Sequence, residues 1–165
     1  MFEIKPLQKA SIPHALERVE RYRLLNEPRV AESICHDILQ VDPDNQQALI
    51  MLLLAITDQF GDTDGKTEKD ALELVPRLQD EYARRYYAGI IHERQGKASL
   101  CHSRLDAHYH AYELLRTAME WFEKAEPIHP PGNEDAILRW NSCVRLIQYH
   151  RLKPRPNDDF QTYLE

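Results

Sequence analysis

Glycine is scarce, with five in 165 residues, and no stretch alternates β-branched with polar side chains. Those two shortages exclude a β-sheet protein, which needs both the turns and the half-buried strands. An excess of cations is also missing: 21 Lys and Arg face 27 Asp and Glu, a formal net charge of −6. The field of the whole molecule therefore repels phosphate backbones, and no nucleic acid is expected as a partner. Long apolar runs are absent as well. The longest, Ala48 to Ile56, falls far short of the roughly 20 residues a membrane span needs. The start Met1-Phe2-Glu3-Ile4-Lys5-Pro6 lacks a secretory signal's apolar stretch, so the expectation is a soluble, cytoplasmic protein. Cysteines are few and far apart, at Cys35, Cys101 and Cys143, which argues against a disulfide framework. Cys35 and Cys143 fall on apolar helical stripes, where a free thiol acts as a small hydrophobe; Cys101 falls in an irregular segment.

What remains is the material of helices. Hydrophobic residues make up 42% of the chain, and Leu, Ala, Glu, Arg and Gln dominate the longer segments, so the fold class is all-α. Pro13 opens a helix to about Leu25, carrying Ala15, Leu16, Val19 and Tyr22 on one side. Pro28 suits the first turn of a second helix, which shows Val30, Ala31, Ile34, Cys35, Ile38 and Leu39 before Asp42-Pro43 stops it. A third runs from about Asn45. Gly61-Asp62-Thr63-Asp64-Gly65 is a loop, followed by a helix from about Lys66 to Pro76 that packs through Thr67, Ala71 and Leu74. Asp80 caps a fifth helix ending at Gly96-Lys97, an insertion covers 98–107, and a sixth helix runs from about His108 to Glu126. Asn133 caps a last helix striped with Ala136, Ile137, Trp140, Val144 and Ile147, in which Asp135 and Arg139 are spaced for a local ion pair. A helical domain at 1–152 is thus followed by an extended tail at 153–165.

Tyr22, Ala31, Cys35, Ile38 and Pro43 are spaced as two antiparallel helices pack and then stop. Ala118, Phe122, Ala125 and Pro130 repeat the last four members of that spacing, and Tyr86 to Gly96 forms a further partial match. The pattern resembles the tetratricopeptide repeat, a helix-turn-helix unit of roughly 34 residues, over residues 12 to 150. The segment Gly132 to Asn141 also looks like one in uncharacterised bacterial repeat proteins. The resemblance implies a TPR-like α-α superhelix of three hairpin repeats plus a C-terminal capping helix.

In that family the first helix of each pair lines a concave face where partner peptides lie. The resemblance therefore implies a groove formed by Leu16, Glu20, Arg23, Ile50, Met51, Leu54, Asp58, Tyr86, Tyr87, Ile90 and Arg94. The expected partner is another protein, presenting a peptide or an amphipathic helix to be gripped by tyrosines. The alternative that the final helix or the tail fills this groove stays open. A family variant grips a C-terminal carboxylate with Lys, Asn and Arg; Leu16, Glu20, Met51, Ala83 and Tyr87 stand there, so no such clamp is expected.

Two rival readings remain. His92, His102, His108 and His110 gather near Cys101 and Asp106, which would suit a metal-binding or enzyme-accessory subunit using the insertion at 98–110. The paired short spacings of a zinc site are missing, however. The other rival is a structural homodimer. No glycine-rich phosphate loop, Gly-x-Ser-x-Gly elbow or His-Glu-x-x-His pair occurs. Neither a catalytic set nor a cofactor or metal site is expected.

Overall fold

The computed structural model describes residues 1–101 and 106–156. His102, Ser103 and the tail from Asn157 onward lie outside the described residues. Among those described the regular structure is all helical: α1 Ile12–Leu24, α2 Pro28–Val41, α3 Gln46–Thr57, α4 Glu68–Leu72, α5 Glu81–Leu100, α6 Ala107–Ala125 and α7 Asp135–His150. Single 3₁₀ turns precede α1, follow α4 and follow α6.

The boundaries follow from local chemistry. Pro28 opens α2, and just before it Asn26 takes a left-handed φ of 58°, a conformation asparagine tolerates better than most residues. The Asn45 side chain accepts the Ala48 amide at 2.9 Å to start α3, and Asp80 accepts the Ala83 amide at 3.0 Å to start α5. Asn133, expected to cap α7, lies one residue outside it: the N-cap is Glu134, without a side-chain cap bond, and Asn133 accepts the Asp135 amide at 2.9 Å in a local turn. Arg151, at φ 52°, ends α7 and lets the Leu152 amide return to the Ile147 carbonyl at 2.9 Å.

Each helix packs chiefly on its neighbours in sequence, and α3 also touches α1 and α5. One core cluster joins α1 to α4 around Val19, Ala31, Cys35, Ile38, Leu49 and Leu53, all fully enclosed. A second joins α5, α6 and α7 around Ile90, Ala111, Leu115, Ala118 and Phe122. Leu54 and Tyr87 pack against both clusters and weld them together.

Four further features depart from the sequence expectation. Helix α4 stops at Leu72 instead of running to Pro76, and the chain tightens into the 3₁₀ turn Val75–Arg77, because Pro76 has no amide hydrogen to donate to the carbonyl four residues back. Thr67 is exposed and does not pack. It caps α4 through Asp70, whose Oδ2 lies 2.7 Å from both the Thr67 amide and hydroxyl, while Ala71, Leu74 and Leu78 face the core. Helix α5 passes through Gly96-Lys97 and ends only at Leu100. Gly96 is a contact point and not a terminator: a Cβ there would sit 3.2 Å from Leu115 and 3.4 Å from the Ala111 carbonyl. Val30, placed on the apolar stripe of the second helix, is exposed.

The loop between α3 and α4 is tied down from inside. Buried Gln59 donates to Glu32 at 2.7 Å, and Lys66 meets the same carboxylate at 2.9 Å. Burial by itself raises the Glu32 carboxyl, but hydrogen bonds from Gln59 and Lys66 outweigh it and leave it below its ordinary value.

Two predictions follow from this packing. A Cβ on Gly89 would lie 2.5 Å from Cε1 of buried Phe122. Gly89→Ala is therefore expected to lower stability to urea by about 1–3 kcal/mol, although alanine gains about 1 kcal/mol of helix propensity. Phe122→Leu in the same chain should recover part of the loss; a neutral Gly89→Ala would show that the close approach is not a constraint. Burial pushes the Cys35 and Cys143 thiols up to about 12, whereas Cys101 is exposed. An aromatic disulfide reagent should titrate one thiol in the native protein and three in urea.

Candidate functional site

The side chains that α1, α3 and α5 turn to one side meet at Asp58, the residue that ends α3. Arg23 of α1 donates to it from Nε at 2.7 Å and from Nη2 at 3.3 Å. Arg94 of α5 pairs with Asp58 through Nη1, which also lies 2.7 Å from the Thr57 hydroxyl and 3.4 Å from the Leu54 carbonyl. One carboxylate thus binds two guanidiniums from helices on either side of it. Only 18–24% of each of these three side chains is exposed, so the bridge is partly screened from water and binds more firmly than a surface pair.

The other residues implied for the groove divide by depth. Glu20 is exposed, while Ile50, Met51, Leu54, Tyr86 and Tyr87 are half-buried. Leu16 and Ile90 differ from their assignment as groove-facing residues: they are buried, Leu16 in the first core cluster and Ile90 in the second. Tyr86 sits within an aromatic group, stacked on Tyr82 with centroids 5.7 Å apart, edge-on to Tyr87 at 5.2 Å and tilted on Phe122 at 5.9 Å. Burial is the main cause of the raised Tyr82 and Tyr87 hydroxyls, that of Tyr82 reaching about 12.

Beside the Asp58 bridge an open cleft of about 300 Å³ is lined by Glu20, Arg23, Leu24, Asn26, Met51 and Asp58. Four of these six are residues the sequence singled out. Leu24 and Asn26 were not, because they follow the packing stripe of α1 and carry no periodic signal of their own.

Helix α7 reaches the same row of helices at its far end. Arg139 turns away from Asp135, the partner its spacing suggested. It approaches Glu93 of α5 at 3.5 Å instead. Glu93 is fully buried; one oxygen serves Lys97 and Arg139, and the other has no hydrogen-bond partner among the described residues. This buried carboxylate gave no signal in the sequence, since a glutamate on a polar-looking helix reads as solvated.

A larger cleft, about 810 Å³, opens between the α3–α4 loop and the start of α6, with Asp62, Gln95, Ser99, Asp106, His110 and Arg155 in its wall. It adjoins the histidine-bearing insertion. His108 and His110 are exposed, and among the described residues no three His, Cys, Asp or Glu side chains are placed to hold a metal ion. Nor is any described helix long and apolar enough to cross a membrane.

Comparison of the chain with protein-family models, with curated proteins and with solved structures gives no match.

If Asp58 is the joint between α1, α3 and α5, its neutralisation costs both ion pairs at once. Asp58→Asn is expected to destabilise the protein by about 1–3 kcal/mol in urea unfolding, and by more than Arg23→Gln or Arg94→Gln alone. Equal effects for all three variants would mean that only one of the two pairs matters.

Proposed function

We propose that the chain is a tetratricopeptide-like array of three helical hairpins closed by α7, and that it acts as a non-catalytic adaptor. It would hold a partner peptide or amphipathic helix along the wall shared by α1, α3 and α5. The observation that carries this reading is the Arg23–Asp58–Arg94 bridge, which aligns alternate helices side by side. Two further facts agree with it. Ala31, Cys35 and Ile38 are buried as deeply as Ala118, Phe122 and Ala125, which repeat their spacing 87 residues later. Half-buried Met51, Leu54 and Tyr87 leave apolar surface on the wall next to the cleft, the mixture of anchors and fixed charges that a bound segment needs.

A second reading, an enzyme-accessory or metal-dependent subunit, rests on the wide cleft beside α6. It would require stoichiometric metal in the purified protein that is lost with His110→Ala.

The adaptor reading is tested by affinity capture with the full chain, followed by mass spectrometry. Met51→Glu should reduce capture of the specific partner at least tenfold at unchanged helical circular dichroism; Tyr87→Glu should reduce it as strongly, with some loss of stability because Tyr87 also packs against both core clusters. Capture that is indifferent to both changes would remove the wall as the binding surface. Unfolding by Tyr87→Glu alone would mark that tyrosine as core, leaving Met51→Glu as the deciding variant.

A further inference from the structure

Helix α7 packs through one side only. Ala136 and Cys143 are buried, Trp140 donates to Glu123 at 3.0 Å, and Arg139 approaches Glu93 at 3.5 Å. The opposite side is bare, with Leu138 63% and Tyr149 83% exposed. These two lie on one line along the helix, because eleven residues at 100° each return to within about 20° of the start. Glu134 and Arg145 extend the same line, and Lys153 follows just beyond the helix end; all three are exposed.

The line is self-complementary in the antiparallel sense. A twofold axis midway between Cys143 and Val144 sets Leu138 opposite Tyr149 and brings Glu134 to the end of the other copy's helix, where the chain turns at Arg151 and continues to Lys153. The acidic start of the helix, Glu134 and Asp135, then meets its basic end, Arg151 and Lys153, and the helix dipoles oppose each other favourably. Arg145 flanks the axis beside Ser142 of the other copy, and its long stem carries the guanidinium out to water. A helix that is acidic at one end and basic at the other fits a partner helix of reversed polarity, and a copy of α7 is such a helix.

We propose that two copies of this chain associate through an antiparallel α7–α7 contact, isologous about a twofold axis. The surface lies outside the wall assigned to the adaptor, so it stands or falls independently of that reading. Sixteen residues rise only about 24 Å, and the contact belongs to the small, weak class of interfaces. The dissociation constant is therefore expected on the order of 10–100 µM.

Sedimentation of the full chain from about 5 to about 500 µM should show a reversible monomer–dimer equilibrium. Leu138→Glu and Tyr149→Glu, both at exposed positions, should each weaken it about tenfold or more without change in helical content. Glu134→Lys should weaken it severalfold, and Glu134→Lys with Lys153→Glu should restore it. Register is tested in a Cys101→Ser background: Leu138→Cys with Tyr149→Cys should give a covalent dimer under oxidised glutathione, and either cysteine alone should give little. A monomer at every concentration, or a dimer that survives both glutamate variants, would overturn the proposal. So would a dimer lost on Met51→Glu instead, which would place the contact on the inner wall.

Discussion

Helix α3 has no side that can be left to water, and the arrangement of the other helices is largely an answer to that constraint. Ala48, Leu49, Leu52, Leu53, Ala55 and Ile56 are buried, and Ile50, Met51 and Leu54 are half-buried. A helix apolar all round must be enclosed by other elements, since each large aliphatic side chain left in water forgoes about 1.5–3 kcal/mol. α1, α2, α4 and α5 do the enclosing. The strip of α3 that they leave partly open is where Met51 and Asp58 emerge. The wall between α1 and α5 is thus the residue of an enclosure that is nearly complete, and its floor is rigid because it belongs to the core.

The second half of the chain solves a different problem. α5 and α6 approach closely because Gly89 and Gly96 remove side chains where Phe122, Leu115 and Ala111 come nearest, and this turns two long helices into one stiff hairpin. The two halves then join through Leu54 and Tyr87 on the apolar side and through Asp58 on the polar side. Polar groups drawn inside by this packing are held in place by charge: Glu32 by Lys66 and Gln59, Glu93 by Lys97 and Arg139. Each ties a peripheral piece, the α3–α4 loop or α7, to the centre of the molecule.

Much of the helix layout could be read directly. Pro28, Asn45 and Asp80 announced helix starts because capping and proline effects act within a turn of chain, and Ala31, Cys35, Ile38, Ala118, Phe122 and Ala125 announced buried faces because periodicity is also local. Gly96 was misread for the same reason. A glycine in sequence signals both a helix end and a tight contact, and only the position of Leu115 on another helix distinguishes them. Thr67 likewise carries the signature of a cap as well as a place on a stripe, and the capping box with Asp70 prevailed.

Arg23, Asp58 and Arg94 were identifiable as residues pointing the same way, but not as partners, since 35 residues separate the first two and 36 the last two. Arg139 makes the point sharply: its spacing offered Asp135 one turn away, and it took Glu93 from another helix instead. Sequence alone determined the all-helical class, most helix limits and which faces are apolar, because propensity, capping and burial periodicity are written within a few consecutive residues. Tertiary structure alone decided which charges meet and which side of α7 stays bare, because those outcomes depend on distances between helices that no short stretch of chain encodes.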